Sequence, residues 1–167
     1  MGLHAVAEEK TGGSTAETAL REHAAVLGRV CMALTGDRAA AEQALERVAR
    51  EAGQKPLGDK PKVTLLGFAR VACATHASRT PLGARSPRPS ADTRADDAPA
   101  TERVGSAEDA RIARDKLAKL KPTEREAVVL TLVGGLDATD VAAACGVDLG
   151  TAKTRIARGL SQLMEGT

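Results

Sequence analysis

The chain has 167 residues, with 24 Lys and Arg against 22 Asp and Glu for a net charge of +2; it is 43% hydrophobic and contains one aromatic residue, Phe68. A charge so near neutral excludes a general nucleic-acid coat, so affinity for a polyanion has to come from local placement of cations. No run approaches the ~20 apolar residues of a membrane helix, and the opening MGLHAVAEEKTGGST lacks the basic-then-apolar order of a signal peptide, which points to a cytoplasmic protein without membrane partners.

Residues 1–14 carry no apolar periodicity and read as a disordered lead. Leu20, Ala24, Leu27, Cys31 and Leu34 then step by four and three residues, which predicts a helix over Thr18–Leu34. Thr35-Gly36-Asp37 breaks it. Asp37 can cap a second helix reaching about Ala52, with Ala41, Leu45 and Val48 on one side and Gly53 as its stop. After a loop with Pro56, Gly58 and Pro61, a third helix spans about Lys62–Ser78. These elements make residues 15–79 one small helical domain.

Residues 80–105 hold four of the seven prolines, mixed charges and no periodicity, as in a flexible linker. A second all-α domain is expected over 106–167. Ser106 begins a helix that carries Ile112, Leu117 and Leu120 towards a core. Thr123 followed by Glu126 has the spacing of a capping box, with Pro122 just before it. Ala127 to Val133 is apolar on most sides, as in a helix buried under others, and Gly134-Gly135 ends it. Asp137 can cap the next helix, where Val141, Ala142 and Ala144 are small enough for a close crossing. Cys145-Gly146-Val147 makes a turn, and Asp148 can cap the last helix.

On that last helix, at about 100° per residue, Leu149, Ala152, Ile156, Leu160 and Leu163 form one apolar stripe. Thr151, Thr154, Arg158 and Ser161 face away from it, with Lys153 and Arg155 on the flanks. No acidic residue occurs between Leu149 and Met164. Two short helices, a Gly-containing turn and a cationic outer face constitute the helix-turn-helix pattern. Thr151, Lys153, Thr154, Arg155 and Arg158 are the candidate DNA contacts, because hydroxyls and cations bond phosphates and Arg also reaches guanine edges.

Other chemistry is sparse. Cys31, Cys73 and Cys145 are widely spaced, odd in number and set in apolar helices, so they read as reduced core residues. His23 and Cys31 have no zinc spacing, and no metal or cofactor is expected. There is no phosphate loop and no nucleophile beside a His and carboxylate pair, so an enzyme is not expected.

The string LAKLKPTEREAVVLTLVGGLDATDVAAACGVDLGTAKTRIARGLSQLME (Leu117–Glu165) resembles the C-terminal domain, region 4, of the extracytoplasmic-function subfamily of bacterial sigma-70 factors. Lys121-Pro122, Arg125, Gly135-Leu136 and Gly150-Thr151-Ala152-Lys153-Thr154-Arg155 stand in step with the family pattern. The resemblance implies that this domain binds the upstream, minus-thirty-five promoter element. LTGDRAAAEQALERVAREA (Leu34–Ala52) is similar to the region 2 segment that grips RNA polymerase core, which makes Glu42, Gln43, Glu46 and Arg47 the implied polymerase contacts. LLGFARVACATHASR (Leu65–Arg79) is similar to the segment that melts the downstream element.

The N-terminal domain is a degenerate version of its counterpart. Gln43 and Glu46 stand where the family carries Asp and Gln, and Val71 and Thr75 fall near its Asn and Asp. Extruded bases are held by aromatic stacking worth about 1–3 kcal/mol per base, and Phe68 alone could supply it. The expected function is therefore transcription regulation through promoter DNA and RNA polymerase core, with an anti-sigma factor as a further candidate partner. The alternative is a sigma-derived mimic or co-regulator that binds an anti-sigma factor or another protein and does not melt promoters.

Overall fold

With one aromatic side chain, the core has to be built from Leu, Val and Ala, and short side chains let helix axes approach closely. In the computed structural model, residues 11–77 and 107–165 are described. They form α1 (Thr11–Thr35), α2 (Arg38–Gln54), α3 (Pro61–Ala77), α4 (Ala107–Lys119), α5 (Pro122–Leu132), α6 (Ala138–Cys145) and α7 (Leu149–Glu165). No strand occurs among the described residues, in keeping with the all-α expectation.

α1, α2 and α3 pack on one another through Leu27, Val30, Leu34, Ala44, Val48, Leu65 and Leu66, all buried. Asp37 accepts a 2.9 Å bond from the Ala40 N–H and so caps α2. Gly36, with φ 66, supplies the left-handed backbone between α1 and α2, which disfavours any residue with a Cβ. α1 starts at Thr11, well before Thr18, and takes in part of the expected lead. Gly53 does not stop α2, which continues to Gln54 and closes with the Lys55 N–H on Glu51 O at 2.9 Å. The expected linker over 80–105 lies outside the described residues.

α5 is the buried helix of the second group, with Ala127, Val128, Val129 and Leu130 no more than 1% exposed. Its start differs from the capping box. Lys121 is the N-cap and makes no side-chain bond, while Pro122 sits in the first turn, where its missing N–H costs nothing. Arg125 holds α4 to α5 by donating to the carbonyls of Leu117, Ala118 and Leu120 at 2.7, 3.0 and 3.0 Å. Those carbonyls lie at the end of α4 and just past it, where i+4 backbone donors run out. Ile112 is 41% exposed and does not join the core, whereas Leu120 does.

The two groups of helices, read from the sequence as units on a tether, share one apolar cluster that runs from Leu34 and Leu66 to Leu130 and Val141. α3 lies on α6, and α1 touches α5. Gly67 permits the first contact, since a Cβ there would stand 3.2 Å from the Ala144 carbonyl oxygen. Arg70 spans the seam: its Nε donates to Ala144 O at 3.3 Å and a terminal nitrogen meets Glu126 at 3.1 Å. Both side chains of that ion pair are mostly buried, so it is screened less than a surface pair. Lys60 also reaches Asp140, at 2.5 Å, on the rim.

The tightest crossing is between α5 and α7. A Cβ on Gly159 would fall 2.5 Å from Val128 Cγ2 and 3.2 Å from Glu124 O. Gly159→Ala gains up to ~1 kcal/mol of helix propensity but overpacks a backbone contact, which typically costs about 1–3 kcal/mol. We expect a net loss of stability, seen as a lower unfolding midpoint in circular-dichroism melts. A midpoint raised by the substitution would show that α7 does not seat on α5 in this way.

Candidate nucleic-acid interface

The α6–turn–α7 unit is assembled by local chemistry. Asp137 accepts from the Asp140 N–H at 2.8 Å and caps α6. Gly146 adopts φ 65, ψ 38, and the Val147 N–H closes back on Ala142 O at 3.0 Å. This left-handed cap turns the chain sharply after Cys145. Asp148 then accepts from the Thr151 N–H at 2.8 Å and from its hydroxyl at 2.5 Å. Those bonds hold the Asp148 carboxyl below its ordinary value of 3.8, the Thr151 hydroxyl contributing most.

The inner side of α7 is set by Ala152 and Gly159, both buried, with Ile156, Leu160 and Leu163 half-buried. Leu149, placed on this stripe from the sequence, is 41% exposed because it begins the helix outside the crossing. The outer side carries Lys153, Thr154 and Arg158, all exposed, with Thr151 and Arg155 half-buried beside them. The Thr154 hydroxyl donates to Gly150 O at 2.9 Å. Among the described residues, Lys153, Arg155 and Arg158 enter no ion pair, so their charges face outward without an internal counterion. All five candidates therefore lie on one helix, with Thr151, Thr154, Arg155 and Arg158 along one side of it and Lys153 exposed on the opposite flank of the apolar stripe.

Packing adds residues that periodicity could not assign. A shallow concavity between the start of α5 and α7 is lined by Lys121, Thr123, Glu124, Asp148, Arg155 and Arg158. Lys121 thus adds a cation to the basic side from a different helix. Glu124 is 4% exposed, and its Oε2 has no hydrogen-bond partner within the protein. Glu124 lies against α7 at Gly159, a contact between helices that periodicity does not reveal.

The N-terminal candidates lie on α2. Its buried side is Ala41, Ala44, Val48 and Ala52, which leaves Glu42, Gln43 and Glu46 exposed. Glu42 pairs with Arg38 at 2.9 Å. Arg47 is turned to α3, where it donates to the Thr75 hydroxyl at 2.7 Å. Phe68 is half-buried against the core, and the Lys55 ammonium sits 5.5 Å from its ring centroid. Val71 is 48% exposed and Thr75 is exposed beside it. No group of three or more His, Cys, Asp or Glu among the described residues could hold a metal ion. None of the described helices is long and apolar enough to cross a membrane.

This arrangement is a helix-turn-helix domain packed on a three-helix bundle. Residues 110–163 match the family model described as sigma-70, region 4. The chain is also similar to the sigma factor RpoE of Bartonella quintana in its co-crystal structure with the anti-sigma factor NepR. The two are 22% identical, with a TM-score of 0.67 over 89% of this chain and 94% of that one. Among curated proteins, none matches the sequence. The family match thus covers the C-terminal helices, and the likeness to the solved structure extends the shared all-α fold over most of the chain.

The depressed Asp148 carboxyl gives a pH test of the cap. A group with a lowered folded value contributes stability that is present above its unfolded value, and that contribution is lost as the pH falls through the folded one. Asp148→Ala should lower the unfolding midpoint of α7 at neutral pH. The gap between parent and variant should close as the pH drops below 3.8, followed by helicity in a pH series of thermal melts. A gap that is constant with pH would mean that the carboxylate does not cap α7.

Proposed function

We propose that the chain is a sigma-factor-like transcription regulator that reads the upstream, minus-thirty-five promoter element in the major groove with α7. The observation that carries the reading is the outward placement of Lys153, Arg155 and Arg158 without internal counterions, on a helix whose other side is fixed to α5. Thr151 and Thr154 lie in the first turns, where a recognition helix meets base edges and phosphates. The exposed side of α2, with Gln43 and Glu46, is the surface proposed to meet RNA polymerase core. Glu42 and Arg47 belong to the same helix but are engaged by Arg38 and Thr75. By likeness to a sigma factor crystallised with an anti-sigma factor, a partner of that kind is proposed as well.

Replacing Arg155 and Arg158 with Ala tests this reading. Each lost base-edge contact should cost about 1–3 kcal/mol of specific affinity, and each lost phosphate contact should reduce the salt slope by roughly one. Helicity should be unchanged, since both side chains lie off the buried stripe. Binding to a selected DNA target is measured by fluorescence anisotropy at several salt concentrations. Parental affinity in the double variant would overturn the assignment of α7.

A second reading concerns promoter opening. Phe68 is the one Phe, Tyr or Trp of the chain, and it packs against the core beside Lys55. Unstacking a base step costs a few kcal/mol, and something must hold what is unstacked. We therefore propose a regulator that does not open a paired promoter with core enzyme alone and works better on templates already mismatched at the downstream element. Permanganate footprinting distinguishes the cases: thymine reactivity on a fully paired promoter, with no other factor present, would restore the ordinary sigma-factor role.

A further inference from the structure

The two flanks of α7 have different neighbours. At about 100° per residue, Lys153 lies on one side of the exposed face and Arg155 on the other, with Thr151, Thr154 and Arg158 between them. The start of α5 stands beside the Arg155 flank. Lys121, Thr123, Thr151, Thr154, Arg155 and Arg158 line one concavity there, and Lys153 is outside it. Lys121 is exposed and enters no ion pair among the described residues. It is the N-cap of α5 and makes no side-chain bond to that helix. Its backbone is fixed, because its carbonyl accepts from the Glu124 and Arg125 N–H groups at 3.0 and 2.8 Å.

The sign of the concavity suits an anion. Lys121, Arg155 and Arg158 share it with two carboxylates, Asp148 and Glu124. Asp148 commits one oxygen to the Thr151 N–H and the other to the Thr151 hydroxyl. Glu124 is 4% exposed and packed against Gly159. The start of α7 is therefore already matched to a carboxylate, whereas no side chain caps the start of α5. Uncapped N–H groups and the helix dipole favour negative charge at that point, and the Lys121 ammonium adds to them.

A major groove about 12 Å wide is filled by a helix about 10–12 Å across its side chains. The two flanks of a seated helix consequently meet two different rows of phosphates. We propose that Lys121 and Arg155 clamp a backbone phosphate on the α5 side of the groove, while Lys153 meets the opposite strand. Lys121 then fixes the depth and register of α7 from a different helix and carries no sequence preference of its own. Thr151, Thr154 and Arg158, between the flanks, are left to meet base edges. This assignment rests on the reading of α7 as a recognition helix, and adds to it a contact from α5 and a strand for each flank.

The test uses the full chain, a duplex selected for binding and a scrambled duplex of equal length. Lys121→Gln should weaken binding to both by the same factor and lower the salt slope by about one, with helicity unchanged. Lys121→Arg, which keeps the charge, should keep the parental slope. Arg50→Gln removes the same charge from an exposed position on α2 and should leave the slope unchanged. Duplexes with single neutral methylphosphonate linkages then locate the contact. At one linkage the loss of affinity suffered by the parent should vanish in Lys121→Gln. The linkage that behaves so for Lys153→Gln should lie on the other strand. A parental slope in Lys121→Gln, an equal fall in Arg50→Gln, or both linkages on one strand would overturn the clamp. Failure of the parent to bind any duplex would overturn the α7 reading with it. Loss of binding on replacing Arg155 and Arg158, beside an unchanged Lys121→Gln, would overturn the clamp alone.

Discussion

Where α7 crosses α5, the absent side chain of Gly159 lets the helices approach until Val128 and the Glu124 carbonyl fill the space a Cβ would take. The same device operates where α3 meets α6, with Gly67 against the Ala144 carbonyl. With one aromatic in the chain, the protein cannot fill wide gaps between helices with large rings. It closes those gaps by narrowing them, so dispersion is gained from many close, small contacts. Everything that depends on helix placement, including the aim of the α7 cations, follows from these narrow crossings.

Charge is arranged around that frame with a consistent sign. Acidic groups sit where helix starts expose N–H groups: Asp37, Asp137 and Asp148 cap α2, α6 and α7. Basic groups meet exposed carbonyls: Arg125 binds the end of α4, and Arg70 binds Ala144 near the end of α6. Both arrangements complement the helix dipole and the orphan groups at helix ends. Lys153, Arg155 and Arg158 on α7 are among the cations that enter no ion pair within the described residues.

The seam between the two helical groups leaves both outer surfaces open. Arg70, Glu126 and Lys60 hold α3 to the helix-turn-helix domain through the sides of α3 that carry Gly67 and Arg70. Val71 and Thr75, on another side of α3, stay exposed, as does the basic side of α7. A ligand of α7 and a ligand of α2 could therefore bind the same packed arrangement together.

Local rules made much of this legible. The three Asp caps, the Gly146 turn, the all-α class and the shared side of Thr151, Thr154, Arg155 and Arg158 follow from spacings within a few residues, because caps and helix periodicity are set by neighbours in the chain. The same reasoning misplaced Thr123, whose capping role is pre-empted by Pro122 in the first turn, and Glu126, which turns to Arg70, 56 positions away. It also gave Leu149 to the core, whereas Leu149 is 41% exposed. Those outcomes, with the burial of Glu124 under Gly159 and the Lys55 ammonium over Phe68, depend on which helix lies across which. Sequence alone determined the elements and the chemistry that each one carries. Tertiary structure alone decided the partners, because a crossing is fixed by the shape and charge of two surfaces and a single chain segment specifies only one of them.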